Sequence, residues 1–195
     1  GIPADKREAA KYYKMSADKG NDKSMASLAE MLSEGCGCDV DLDESIKYAK
    51  KAIKKGNSDA MVLYGTFLHK GIGVPMNYEE AMRYYKMAME KDNPRSFNMY
   101  GLMLYYGHGV PLDEKEGIRY MTISAEKGDR IGLRNLAISL RDGEEMEVNL
   151  PEALKIFKKA AKKGDAESMD YLLELQNEAG KEVISKKEAF DYYKK

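Results

Sequence analysis

Cys36, Cys38, His69 and His108 are the side chains of this 195-residue sequence best suited to ligate a metal or to serve a nucleophile. The two cysteines stand in EGCGCD, separated by one residue. A structural zinc site needs four thiolate or imidazole ligands, and no second cysteine or histidine pair completes this one. Two thiols so close rarely close an unstrained disulfide, so they form no disulfide framework and favour a reducing compartment. His69 lies near the end of a helical pattern and His108 in the turn YGHGVP. Neither has a Cys or Ser close in sequence to activate. P-loop, GxSxG, HExxH and dinucleotide signatures are missing, and the GxGxV segments fall between helices rather than after strands. The expectation is a protein that is not an enzyme, with no catalytic residues, no cofactor and no metal.

The carboxylates that could have formed an acid–base pair instead follow a structural rhythm. Gly20, Gly56, Gly128 and Gly164 fall on one 36-residue register, with Asp92 in the vacant slot, and Gly35, Gly71, Gly107 and Gly143 fall on a second. A fixed period of this size marks an array of supersecondary units, none of which buries its apolar face alone. Asp5, Asp41, Asn77, Asp113, Asn149 and Ser185 are each followed three residues later by Glu, which predicts capping boxes at the starts of first-type helices. Second-type helices start after Asn21, Asn57, Asn93, Asp129 and Asp165, with Pro94 at a first helical position. The glycines, or Asp92, before those caps suit a left-handed residue closing the preceding helix. Apolar residues recur at helical spacing in both types, and the Tyr and Met stripes read as core packing. Gly65 and Gly101 inside second-type helices read as points of close helix approach.

The fold class expected is therefore all-α, a solenoid of stacked antiparallel helix pairs. Its units run over about 5–40, 41–76, 77–112, 113–148 and 149–184, with a partial helix over 185–195. The whole of 1–195 reads as one repeat-array domain cut from a longer protein. Lys+Arg 32 against Asp+Glu 33 give a net charge of −1, so neither nucleic acid nor an anionic membrane is an expected partner. No apolar run approaches the roughly 18 residues that span a bilayer. A cytoplasmic location and a monomer are expected.

The pattern AMVLYGTFLHKGIGVP followed by NYEEAMRYYKMAMEK resembles the Sel-one-like repeats, a subfamily of the tetratricopeptide type. The M-x-x-[LY]-[GA] helix, the G-x-G-V-P turn and the A-x-x-Y-Y-K helix recur together in that order. The resemblance implies a right-handed α-α superhelix whose second-type helices line a concave groove. On that implied face the expected partner-binding residues are Arg95, Asn98, Leu102, Tyr105 and Tyr106, then Arg134, Ile138 and Arg141, and finally Glu174. Tyrosine and arginine beside aliphatic residues is a composition typical of binding hot spots. The function so implied is a non-catalytic interaction scaffold or adaptor that binds a protein or peptide segment. The alternative is a regulatory or targeting module of a larger multidomain protein.

Overall fold

The computed structural model of the chain describes residues 2–143, 147–179 and 185, the side chains of 2–5 and 177–179 excepted. The turn at Glu145 and the helix expected to follow Ser185 lie outside the described residues. The chain divides into two compact units, Gly1–Ser96 and Phe97–Lys195. The first unit holds α1 (Ile2–Asp18), α2 (Asp22–Glu34), α3 (Leu42–Lys54), α4 (Ser58–Lys70) and α5 (Tyr78–Met89). Its last residues begin α6 (Pro94–Tyr106), which continues into the second unit; there α7 (Glu114–Glu126), α8 (Arg130–Asp142), α9 (Leu150–Lys162) and α10 (Ala166–Ala179) follow. Odd-numbered helices are the first type and even-numbered helices the second. Among the described residues there is no strand.

The helix starts are fixed by short polar side chains. Asn21, Asp41, Asn57, Asn77, Asp113, Asp129, Asn149 and Asp165 each accept a hydrogen bond from the backbone N–H three residues on, at 2.7–3.2 Å. Each cap satisfies a donor that the helix itself leaves unpaired. Two expectations about these starts need correction. Helix α1 begins at Ile2, so Asp5 lies within it and does not cap it. The glutamates do not reach back to the cap either: Glu44, Glu80, Glu116 and Glu152 turn forward to Lys47, Arg83, Arg119 and Lys155. The physical reason is that the cap's own N–H is already used. Asp41, Asn77, Asp113 and Asn149 donate to the carbonyls of Leu32, Leu68, Leu104 and Leu140 at 2.8–3.0 Å. Each bond ties the start of a first-type helix to the last turn of the second-type helix before it.

The helix ends use the left-handed conformation that the glycine registers predict. Gly35, Gly71 and Gly143 adopt φ near +70° at second-type C-caps, and Asp92 takes φ +58° where its counterparts are glycine. Asp is among the few non-glycine residues that tolerate this region.

Packing within each unit rests on small residues. Ala49, Ala52, Ala81 and Ala88 are wholly buried in the first unit, as are Ala153 and Ala160 in the second. A methyl group at Gly65 would stand 2.7 Å from the ring of Tyr85, which is itself wholly buried. At Gly101 it would stand 2.7 Å from the carbonyl oxygen of Gly117. These close approaches account for glycine inside a helix despite a propensity cost of about 1 kcal/mol. In the second unit Phe157, Met169 and Leu172 are buried among Leu133, Leu136 and Ala137, which joins α8, α9 and α10 around one core.

Candidate functional site

The N-termini of second-type helices are linked by polar side chains spaced 35 residues apart. In the first unit Asn57 Nδ2 donates to Asp22 Oδ2 at 2.9 Å, and Asn93 Nδ2 donates to Ser58 Oγ at 3.0 Å. Asn93 also reaches Asp59 Oδ1 at 2.7 Å. The Asn57 amide holds the Asp22 carboxyl below its usual range. Arg95 Nη1 lies 3.0 Å from Glu30 Oε1, so this cation is engaged by α2 of its own unit.

In the second unit the polarity of this linkage is reversed. The cap is now the anion Asp165, and the donors are Arg130 Nη1 at 2.9 Å and Arg134 Nη1 at 3.0 Å. Asp165 also accepts from the backbone and the hydroxyl of Ser168, and its side chain has no exposed surface. Arg134 reaches Glu167 at 3.1 Å as well, leaving the arginine 14% exposed. Further along α8, Arg141 pairs with Asp142 through two bonds of 2.6 and 3.0 Å and lies 4.8 Å over the ring of Tyr171 on α10. Asp142 and Glu174 both hold the Arg141 guanidinium above its ordinary range, Asp142 foremost.

The sequence-derived face is therefore placed unevenly. Asn98 is wholly buried, contrary to the exposed stripe expected, and its Oδ1 accepts from Asn135 Nδ2 at 2.8 Å. Arg134 is also withdrawn from the surface. One turn into α6 this column is covered by α8, whose Asn135 reaches Asn98, and Ala26 and Val62, at corresponding positions of the first unit, are buried too. Leu102 and Tyr105 are half-buried, and Ile138 packs against the core. Tyr106 is 57% exposed and meets the Tyr105 ring edge-on at 5.0 Å. His108 stacks on Tyr106 at 5.7 Å. Glu174 stands exposed on α10, together with Asp170 and Glu167. The Asp165 clasp was missed from sequence, although arginines at 130 and 134 opposite an Asp cap at 165 are the charge change that signals it.

Of the residues with chemical potential, His108 belongs to this face through its stacking on Tyr106, and the others make local contacts in the first unit. Cys36 and Cys38 are free thiols, and Cys38 Sγ lies 3.6 Å from the Met31 carbonyl oxygen. His69 meets the ring of Tyr78 at 5.5 Å. Among the described residues no group of three or more His, Cys, Asp or Glu side chains could hold a metal ion. No helix among them is long and apolar enough to cross a membrane.

Comparison with known proteins gives this geometry a context. No curated protein sequence matches the chain. Among solved structures, a Sel1 repeat protein from Oxalobacter formigenes is 28% identical, with a TM-score of 0.71 over 96% of this chain and 77% of that one. A protective antigen with an SLR fold, present in uropathogenic Escherichia coli strains, is 26% identical. It superposes with a TM-score of 0.61 over 96% of this chain, which spans 40% of its length. An immunity protein from Pseudomonas aeruginosa, 20% identical with a TM-score of 0.68 over 95% of this chain and 71% of its own, shares the fold. The family model for the Sel1 repeat matches residues 1–21, 22–57, 58–93, 98–129 and 131–165, and the segments 22–57 and 58–93 each join a second-type helix to the first-type helix packed on it. The chain belongs to the Sel1 repeat family.

Proposed function

We propose that this chain is a non-catalytic protein-interaction scaffold that holds a segment of a partner protein along its second-type helices. In the second unit the contact residues of this reading are Leu102, Tyr105, Tyr106, Ile138, Arg141 and Glu174; in the first unit Arg95 belongs to the corresponding face. The reading takes the chain to act as a monomer in the cytoplasm, where Cys36 and Cys38 stay reduced. Membership of a repeat family whose proteins mediate protein–protein interaction supports it. The observation that carries it is Tyr106, a large aromatic ring 57% exposed at the end of α6 and steadied by its contacts with Tyr105 and His108. A rigid aromatic ring presented to solvent contributes contact area with little loss of side-chain entropy on binding.

The test is site-specific cross-linking. A photoreactive phenylalanine analogue replacing Tyr106 is expected to trap a discrete partner in cell extract, whereas the same analogue replacing Arg83 on the first-type helix α5 traps none. Labelling of the same partner only from the Arg83 position would move the interface to the other side of the array and reject the reading.

A further inference from the structure

We propose that the partner segment docked by the second unit is basic, with an apolar or aromatic anchor. The inference rests on the scaffold reading above and adds the chemistry of the occupant. A sequence reading alone would make the partner bipolar, with acidic groups over Arg134 and Arg141 and basic residues over the carboxylates of α10. In the structure those arginines are already engaged: Arg130 and Arg134 by Asp165, Arg134 also by Glu167, and Arg141 by Asp142 and the Tyr171 ring. What the face still offers to solvent is mainly acidic: Asp170 and Glu174 are exposed and Glu167 is 68% exposed even while pairing with Arg134, against 42% for Arg130, 26% for Arg141 and 14% for Arg134.

The acidic and aromatic groups belong to one surface. The Asn98–Asn135 bond joins α6 to α8, and the Arg141–Tyr171 contact joins α8 to α10. Corresponding positions on the three helices then form rows, Leu102–Ile138–Glu174 in one and Tyr106–Asp142 in the next, which pass from apolar to anionic. Charge within the unit is also segregated. Helix α9 and its C-cap carry Lys155, Lys158, Lys159, Lys162 and Lys163 against Glu152 alone. A cationic segment is therefore repelled from the α9 side and drawn to the α10 side, which sets its orientation before contact. Tyr106 meets an apolar or aromatic residue of that segment, or the face of a guanidinium.

Fluorescence anisotropy with three labelled 15-residue peptides tests this on the whole chain. One peptide alternates Lys and Arg with Leu and Phe, the second has Glu at every basic position, and the third has Gln there. The basic peptide is expected to bind at least tenfold more tightly than the acidic one in dilute buffer, with the difference shrinking as salt is added. The double variant Asp170→Lys, Glu174→Lys should lose at least fivefold for the basic peptide. Glu126→Lys, which carries half that charge change and lies on α7, should lose less than twofold, and unchanged circular dichroism melts confirm that the variants fold. Equal or tighter binding of the acidic or neutral peptide, still weakened by Tyr106→Ala, overturns the basic occupant and leaves the scaffold reading intact. Binding of none of the peptides in a Tyr106-dependent way rejects both. Concentration-dependent dimerisation abolished by Glu174→Lys assigns the face to a second copy of the chain and overturns the proposal.

Discussion

Arg134 Nη1 lies 3.0 Å from Asp165 Oδ1, and the carboxylate it meets has no exposed side-chain surface. Asp165 is at once the cap of α10, the acceptor for Ser168 and the anchor for two arginines of α8. In the first unit the same linkage runs from the neutral caps Asn57 and Asn93 to the preceding second-type helix, whereas at Asp165 it rests on a buried charge. Removing one partner of a buried pair strands the other charge, which costs more than the pair contributes.

Asp165→Ala is accordingly expected to destabilise the protein by roughly 3 kcal/mol, combining loss of a cap with stranding of Arg134. Arg134→Met should cost about 1–2 kcal/mol, because Arg130 and Ser168 still satisfy the carboxylate. Urea denaturation of both variants checks the order; equal losses would mean that the arginine rather than the cap dominates.

Alkaline stability is expected to depend on Tyr48. Its hydroxyl donates to Asp18 Oδ1 at 2.7 Å, and burial together with that carboxylate pushes the phenol up to about 12. In the unfolded chain a tyrosine titrates near 10. The raised value means that the contribution of Tyr48 is fully present below pH 10 and is lost as pH rises from about 10 to 12. Tyr85 is shifted in the same direction, chiefly by burial. Thermal melts at pH 9 and pH 11.5 should show a smaller drop for Tyr48→Phe than for the parent, and a drop of the same size would show that other groups carry the alkaline loss.

The cysteine loop is expected to be chemically quiet. Burial, then the charges of Asp39 and Cys36, pushes the Cys38 thiol up, which lowers its thiolate fraction at neutral pH. Alkylation of Cys38 by iodoacetamide at pH 7.5 should run slower than that of a free cysteine and accelerate as pH rises. Melts with and without reductant should coincide, since the pair staples no separate elements; a shift of many degrees in the monomer would show a structural role for the thiols.

Much of the repeat frame was legible because its determinants are local. A cap acts over three residues, and a left-handed closing residue acts at a single position, so the registers of Asn77 and Gly71 transfer directly into helix boundaries. What stayed hidden depends on contacts made with another helix. Helical period places Asn98 on one side of α6 but does not give the height to which α8 covers that side. The buried column was nonetheless written in Ala26 and Val62, whose small and apolar side chains mark a covered position. The forward-turning glutamates were hidden for a similar reason. Their expected partner, the cap N–H, is taken by a carbonyl of the preceding helix, such as Leu68 for Asn77.

The adjacent Tyr105 and Tyr106 are expected to separate stability from binding. Tyr105 sits against α7: a methyl group at Gly117 would approach its Cβ to 2.9 Å, and its ring is half-buried. Tyr106 is 57% exposed, and its ring packs on Tyr105 and His108. Truncating Tyr105 therefore removes buried packing as well as contact surface, whereas truncating Tyr106 removes mainly exposed surface and its ring contacts with Tyr105 and His108. Tyr105→Ala is expected to lower the stability of the free protein by about 2–4 kcal/mol. Tyr106→Ala should change it by about 0.5 kcal/mol or less. Against a docked segment, Tyr106→Ala should weaken binding by roughly 1–3 kcal/mol, expressed mainly in the dissociation rate. Glu174→Lys, an exposed charge, should act mainly on the association rate and its salt dependence. Chemical denaturation and binding kinetics measured on the same preparations resolve the three variants. If Tyr106→Ala leaves dissociation unchanged while Tyr105→Ala alters only stability, the aromatic pair serves packing and the binding surface lies elsewhere on the second-type helices.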